Sequence, residues 1–125
     1  MTMKWTAAPQ AIIDAFGAAL PDDGLVQRKK MFGYPAAFVN GNMFGGVWQD
    51  LIVLRLGESK RAEMIAAGGS EFAPMGRRMR EYVVAAAGII EDTETLGAWL
   101  EEAFRFGAGL PVKEAKPRAV KKPRP

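Results

Sequence analysis

The spacing of apolar residues changes character along the chain, and each change predicts an element. Ala8, Ile12, Ile13, Phe16, Ala19 and Leu20 recur at three- and four-residue intervals, the stripe of one helical face, which predicts a helix from Thr6 or Ala8 to Leu20. Thr6 is a candidate cap. Pro9 suits a first turn, where its missing N–H has no partner to lose. Pro21-Asp22-Asp23-Gly24 then stops the helix. From Arg28 to Leu56 the helical spacing is replaced by short apolar runs rich in strand formers. Asn40-Gly41 separates Ala36–Val39 from Met43–Val47, and both turn residues tolerate the positive φ of a type I′ hairpin. Gln49-Asp50 separates Trp48 from Leu51–Leu56 and marks a second hairpin. Three antiparallel strands follow, or four with Val26–Phe32.

Helical spacing returns at Lys60–Ala67, with Ser59 as its cap, Ala62, Ile65 and Ala66 as its buried face, and Gly68-Gly69 as its stop. Glu71–Met75 reads as extended, with Pro74 at an edge or strand end because it lacks a donor. Gly76 turns the chain into a strand over Met79–Ala86. Asp92 caps a last helix, Thr93–Phe106, whose apolar face is Leu96, Trp99, Leu100, Ala103 and Phe104, with Gly107 ending it. Glu101 stands four residues before Arg105 on its polar face, a favourable pair. The order α-β-β-β(-β)-α-β-β-α with hairpin-length loops predicts an α+β fold: two layers, a mostly antiparallel sheet with helices on one face.

Composition narrows the function classes. The 125 residues contain no Cys and no His. Thiolate nucleophiles, disulfides and iron–sulfur ligation are therefore excluded, as are the commonest general base and the usual zinc ligand. No cofactor and no metal is expected. No signal peptide or membrane span is legible, so a cytoplasmic location without membrane contact is expected. The net charge of +3 is unevenly placed: residues 1–110 hold 11 Lys+Arg against 13 Asp+Glu, whereas residues 111–125 hold 6 against 1. The chain thus divides into a near-neutral domain, 1–110, and a basic, proline-rich tail, 111–125, expected to be disordered.

Several short strings recur in a known order. Lys30-Met31-Phe32-Gly33, Phe38-Val39-Asn40-Gly41-Asn42-Met43-Phe44, the apolar strand Leu51–Leu56, Phe72-Ala73-Pro74-Met75-Gly76-Arg77, Met79-Arg80-Glu81-Tyr82-Val83-Val84 and a closing helix with Trp99-Leu100 together resemble the TfoX/Sxy N-terminal domain over about residues 10–107. The resemblance implies a two-layer domain of secretion-chaperone-like topology, standing alone without the helical second domain of the long members. Those members regulate natural competence with a transcription activator. The family offers no catalytic residue to carry over.

Candidate sites follow from the sheet and the charges. The central strands are apolar on both faces, while helices can cover one. Phe44, Trp48, Leu51, Val53 and Tyr82 are the candidate interface or groove; the other reading is that loops and the second hairpin bury them within one chain. Gly45-Gly46 fits a close backbone approach or a bulge. Arg28, Lys29, Lys30, Arg77, Arg78 and Arg80 form two basic clusters that could join into one anion or nucleic-acid patch, or serve as solvated edges that block strand pairing. The tail could hold nucleic acid electrostatically. Asp22, Asp23, Asp50, Glu58, Glu91 and Asp92 sit at turns and caps, so no catalytic set emerges. The sequence therefore predicts a non-enzymatic interaction module acting through protein contacts, as a homodimer. The alternatives are a nucleic-acid-associated regulator and a small-molecule or anion binder on the sheet.

Overall fold

A computed structural model describes residues 7–112. Helix α1 (Gln10–Ala19) leads into four strands, β1 (Gln27–Met31), β2 (Tyr34–Val39), β3 (Asn42–Trp48) and β4 (Leu51–Arg55). Helix α2 (Glu58–Ala66), strand β5 (Ser70–Glu71), a 3-10 turn at Pro74–Gly76, strand β6 (Tyr82–Val84), helix α3 (Ala87–Ile90) and helix α4 (Thr93–Ala108) complete the chain. The architecture is α+β, as the sequence predicts.

The first four strands form a meander joined by two-residue turns. Asn40 and Gly41 have φ of 53° and 81°, and Phe32 and Gly33 have 56° and 86°, so both turns carry the doubly positive φ of a type I′ hairpin. Gln49, at φ 57°, begins the third. The six strands lie in the order β1-β2-β3-β4-β6-β5, and every pairing is antiparallel. β6 inserts between β4 and the earlier β5.

The helices lie on one face of this sheet. The pleat sends Ile52 and Leu54 of β4 toward them, and Leu56 continues the row. All three are fully buried with Phe16, Leu96, Leu100 and Ala103. Burying each leucine contributes about 1.5–3 kcal/mol. Helix α4 starts where expected: the Asp92 side chain accepts from the amides of Glu94 and Thr95, satisfying donors the first turn leaves open. Its Glu101–Arg105 pair forms at 3.5 Å.

Several local expectations differ. Helix α1 begins after Pro9, which occupies the cap position; the proposed Thr6 cap lies outside the described residues, as does nearly all of the tail. In α2 the cap position is Gly57, and Ser59 is inside the helix without a side-chain cap bond. Its buried residue is Met64, whereas Ile65 is 41% exposed, because this nine-residue helix packs on β5 and β6 through the side that carries Met64. The strand expected over Met79–Ala86 shortens to Tyr82–Val84: the Met79 amide donates to Phe72 O at 2.9 Å, which closes residues 72–79 into a loop. Gly107 does not end the last helix. It is buried one residue before the helix ends, and a Cβ there would lie 2.9 Å from Val39 Cγ1 and 3.3 Å from Phe44 Cβ. The missing side chain lets α4 settle onto β2 and β3.

Candidate functional site

A six-stranded sheet with a single helical layer leaves its other face to be covered by something smaller. Strand register identifies the residues there. Gly46 pairs with Val53 and Trp48 with Leu51, while Arg55 pairs with Tyr82 and Val53 with Val84, so Gly46, Trp48, Leu51, Val53, Arg55, Tyr82 and Val84 share the face away from α4. Part of it is closed by the loop after β5. Phe72, 7% exposed, packs with Val53 and Val84, and Trp48, Leu51 and Tyr82 border that cluster.

Trp48 is the centre of an aromatic group. Its ring lies 5.8 Å from Phe32 and 6.0 Å from Phe72, both edge-on, and 5.6 Å from Tyr34 at a tilt. Edge-to-face contacts at such spacing are favourable beyond the area they bury. Between these rings and the 72–79 loop the surface sinks into a pocket of about 340 Å³, lined by Met31, Phe32, Ala36, Met43, Gly46, Val47, Trp48, Val53, Phe72, Pro74, Met79 and Tyr82. Gly46 keeps its floor low, since a Cβ would stand 3.3 Å from Met43 Cε and from Pro35 O. The size falls at the lower end of small-molecule sites, which are apolar with a few placed polar groups.

Tyr82 supplies one such group. Its hydroxyl reaches over β4 and donates to Met43 O at a long 3.4 Å. Burial raises its pKa above the usual 10.0, against the lowering influence of Arg55. Arg55 stacks over the Tyr82 ring at 5.6 Å, and its Nη2 lies 2.6 Å from Glu81 Oε1. Beyond Tyr82 the surface turns polar. Arg61, Met79, Arg80, Glu81 and Tyr82 line a shallow cleft, and Arg61, Arg80 and Tyr82 recur around a smaller hollow beside it, together with Glu71 and Arg78.

The structure sorts the residues singled out in the sequence. Trp48, Val53 and Tyr82 line the pocket, and Leu51 packs beside it. Phe44 does not. Opposite Ala37 and Phe38 the β2–β3 register shifts, so that Gly45 pairs with Ala37 and Met43 with Phe38. Phe44 is the extra residue of this bulge and turns to the helical side, fully buried, with the Phe104 ring 5.5 Å away. A bulge inverts the strict alternation that would set Phe44 on the face of Trp48.

The basic clusters stay apart. Arg28, Lys29 and Lys30 lie on edge strand β1, and the pleat divides them: Arg28 Nη2 donates to Gly17 O of α1 at 3.3 Å, whereas Lys29 Nζ sits 5.0 Å over the Phe38 ring. Arg77, Arg78 and Arg80 precede β6, and Arg78 is 3.7 Å from Glu71. β1 and β6 are four strand-to-strand steps apart in the sheet order, roughly 19 Å. Of the two readings the sequence leaves open, the joint anion patch does not form; Arg80 instead lines a cleft with Arg61 of α2, which no sequence signal marks. Phe72 and Met79 also enter the pocket only through the loop's long-range fold.

Among the described residues, no group of three or more His, Cys, Asp or Glu could hold a metal ion, and no helix is long and apolar enough to cross a membrane. No curated protein sequence matches the chain. A family model does, over residues 18–107; it describes the TfoX N-terminal domain.

Proposed function

Because the chain belongs to the TfoX N-terminal domain family, we propose that it is a non-enzymatic regulatory module, in a transcription or competence context, that acts through protein contacts made by the sheet face opposite the helices, first of all with a second copy of itself. The observation that carries this reading is the concave, aromatic-centred apolar surface around Trp48 on that face. Concave apolar surface left uncovered by a domain's own layers favours association, because contact removes it from water. The near-neutral charge of residues 1–110 permits like copies to meet without strong repulsion.

Sedimentation velocity from micromolar to submillimolar concentration tests the reading. The expected result is a concentration-dependent dimer that higher salt does not dissolve, weakened by Met79→Glu, which places a carboxylate on the partly exposed pocket rim. A monomer at every concentration, or a dimer indifferent to Met79→Glu, would overturn it.

A further inference from the structure

The apolar pocket and the polar cleft beyond Tyr82 share a wall. Met79 and Tyr82 line both. One side of that wall is aromatic and aliphatic; the other presents Arg61 and Arg80. The charges in the cleft are already partly matched. Glu81 is held by Arg55, whose Nε and Nη2 both reach its Oε1, at 2.8 and 2.6 Å, and in the hollow beside the cleft Glu71 is near Arg78. Arg61 gives one N–H to Leu56 O and has four donors left. Arg80 is exposed. Two guanidinium groups therefore face the cleft with their positive charge largely uncompensated.

From this juxtaposition we propose that the pocket and cleft form one binding site for a small amphiphilic carboxylate: an apolar chain or ring body against Trp48, Val53 and Phe72, and a single carboxylate head between Arg61 and Arg80. The pocket's volume of about 340 Å³ suits a ligand body of small-molecule size. Guanidinium groups hold carboxylates through paired, charge-assisted hydrogen bonds. Tyr82 belongs to the shared wall, and its hydroxyl, held to Met43 O by a long bond, lies on the pocket side. The site goes beyond the protein-contact reading and does not depend on it, since a ligand can fill the pocket whether or not a second protein covers the rim.

Calorimetric titration of the full chain with decanoate and with decanol tests the inference, because the two probes share a tail and differ in charge. Decanoate should bind one to one and about tenfold more tightly than decanol, the contribution of a charge-assisted head contact. Arg80→Gln should bring decanoate close to decanol while leaving decanol unchanged. Arg77→Gln, altering a neighbouring exposed arginine outside the cleft lining, should keep the preference. Met79→Asp should weaken both probes. No decanoate binding, equal affinity for the two probes, or a preference unmoved by Arg80→Gln would overturn the proposal. Failure here with a dimer intact in sedimentation removes the ligand site alone.

Discussion

Replacing Gly107 by alanine sets two effects of known size against each other. In a helix interior alanine is favoured over glycine by about 1 kcal/mol, and Gly107 lies within α4, so a surface argument predicts stabilisation. The packing predicts the reverse. The new Cβ would stand 2.9 Å from Val39 Cγ1 and 3.3 Å from Phe44 Cβ. Val39 and Phe44 are fully buried; Val39 is stiff about χ1, and the Phe44 Cβ moves only with its strand. Overpacking of this kind costs about 1–3 kcal/mol. The helix gain is reduced near the helix end, so packing wins and Gly107→Ala should destabilise by about 1 kcal/mol, lowering the thermal midpoint by roughly 4 °C. Urea unfolding followed by circular dichroism, with an unchanged slope, measures it. The cause is isolated by repeating the substitution in a Val39→Ala background, which removes the atom in the way. There Gly107→Ala should be neutral or stabilising, a departure from additivity of about 1 kcal/mol or more. A stabilised Gly107→Ala protein, or effects that add across the two sites, would refute the close-approach account of how α4 seats on the sheet.

Phe44→Ala should cost about 3–5 kcal/mol, a large share of a domain's usual 5–15 kcal/mol, because Phe44 is a core residue packed on Phe104; a loss of association with full stability in urea would restore it to the interface. Tyr82 gives a pH signature. Its folded pKa is raised above 10.0 by burial, so its contribution is intact below pH 10.0 and is lost as pH rises through the folded value. Phenolate absorbance of the folded protein should therefore show a component titrating above 10.0 that Tyr82→Phe removes, and the variant's alkaline loss of stability should be shallower than the parent's. An identical alkaline profile in the two proteins would contradict this.

What the sequence made legible was local. Asn40-Gly41 and Gln49-Asp50 are turn chemistry, readable from adjacent residues, and Asp92 announces a helix start that its own side chain then caps. The meander, its hairpins and the α+β class follow from such signals. What the sequence left hidden depends on residues far apart in the chain. Strict alternation places Phe44 on the face of Trp48, whereas a bulge that only the pairing of Ala37 with Gly45 discloses turns it to the helices. Ser59 looks like a cap, yet Gly57 holds that position and the helix starts earlier. The strand expected from Met79 is bent away by one backbone bond to Phe72. At the site, Trp48, Val53 and Tyr82 were visible as apolar or amphipathic residues on strands. Phe72, Met79 and Arg61 were not, since loop closure and the placement of α2 bring them there.

The strand order also sets a sequence of events. β1 to β4 need only two-residue turns to pair, so their contacts are local and loop closure costs little. β6 must then cross from beyond α2 to reach β4, and β5, although made earlier in the chain, has β6 as its strand partner. β5 should therefore join last and leave first. Ser70 and Glu71 should exchange their amide hydrogens well ahead of β3 and β4, and opening at that edge loosens the loop that walls the pocket while the meander beneath stays closed.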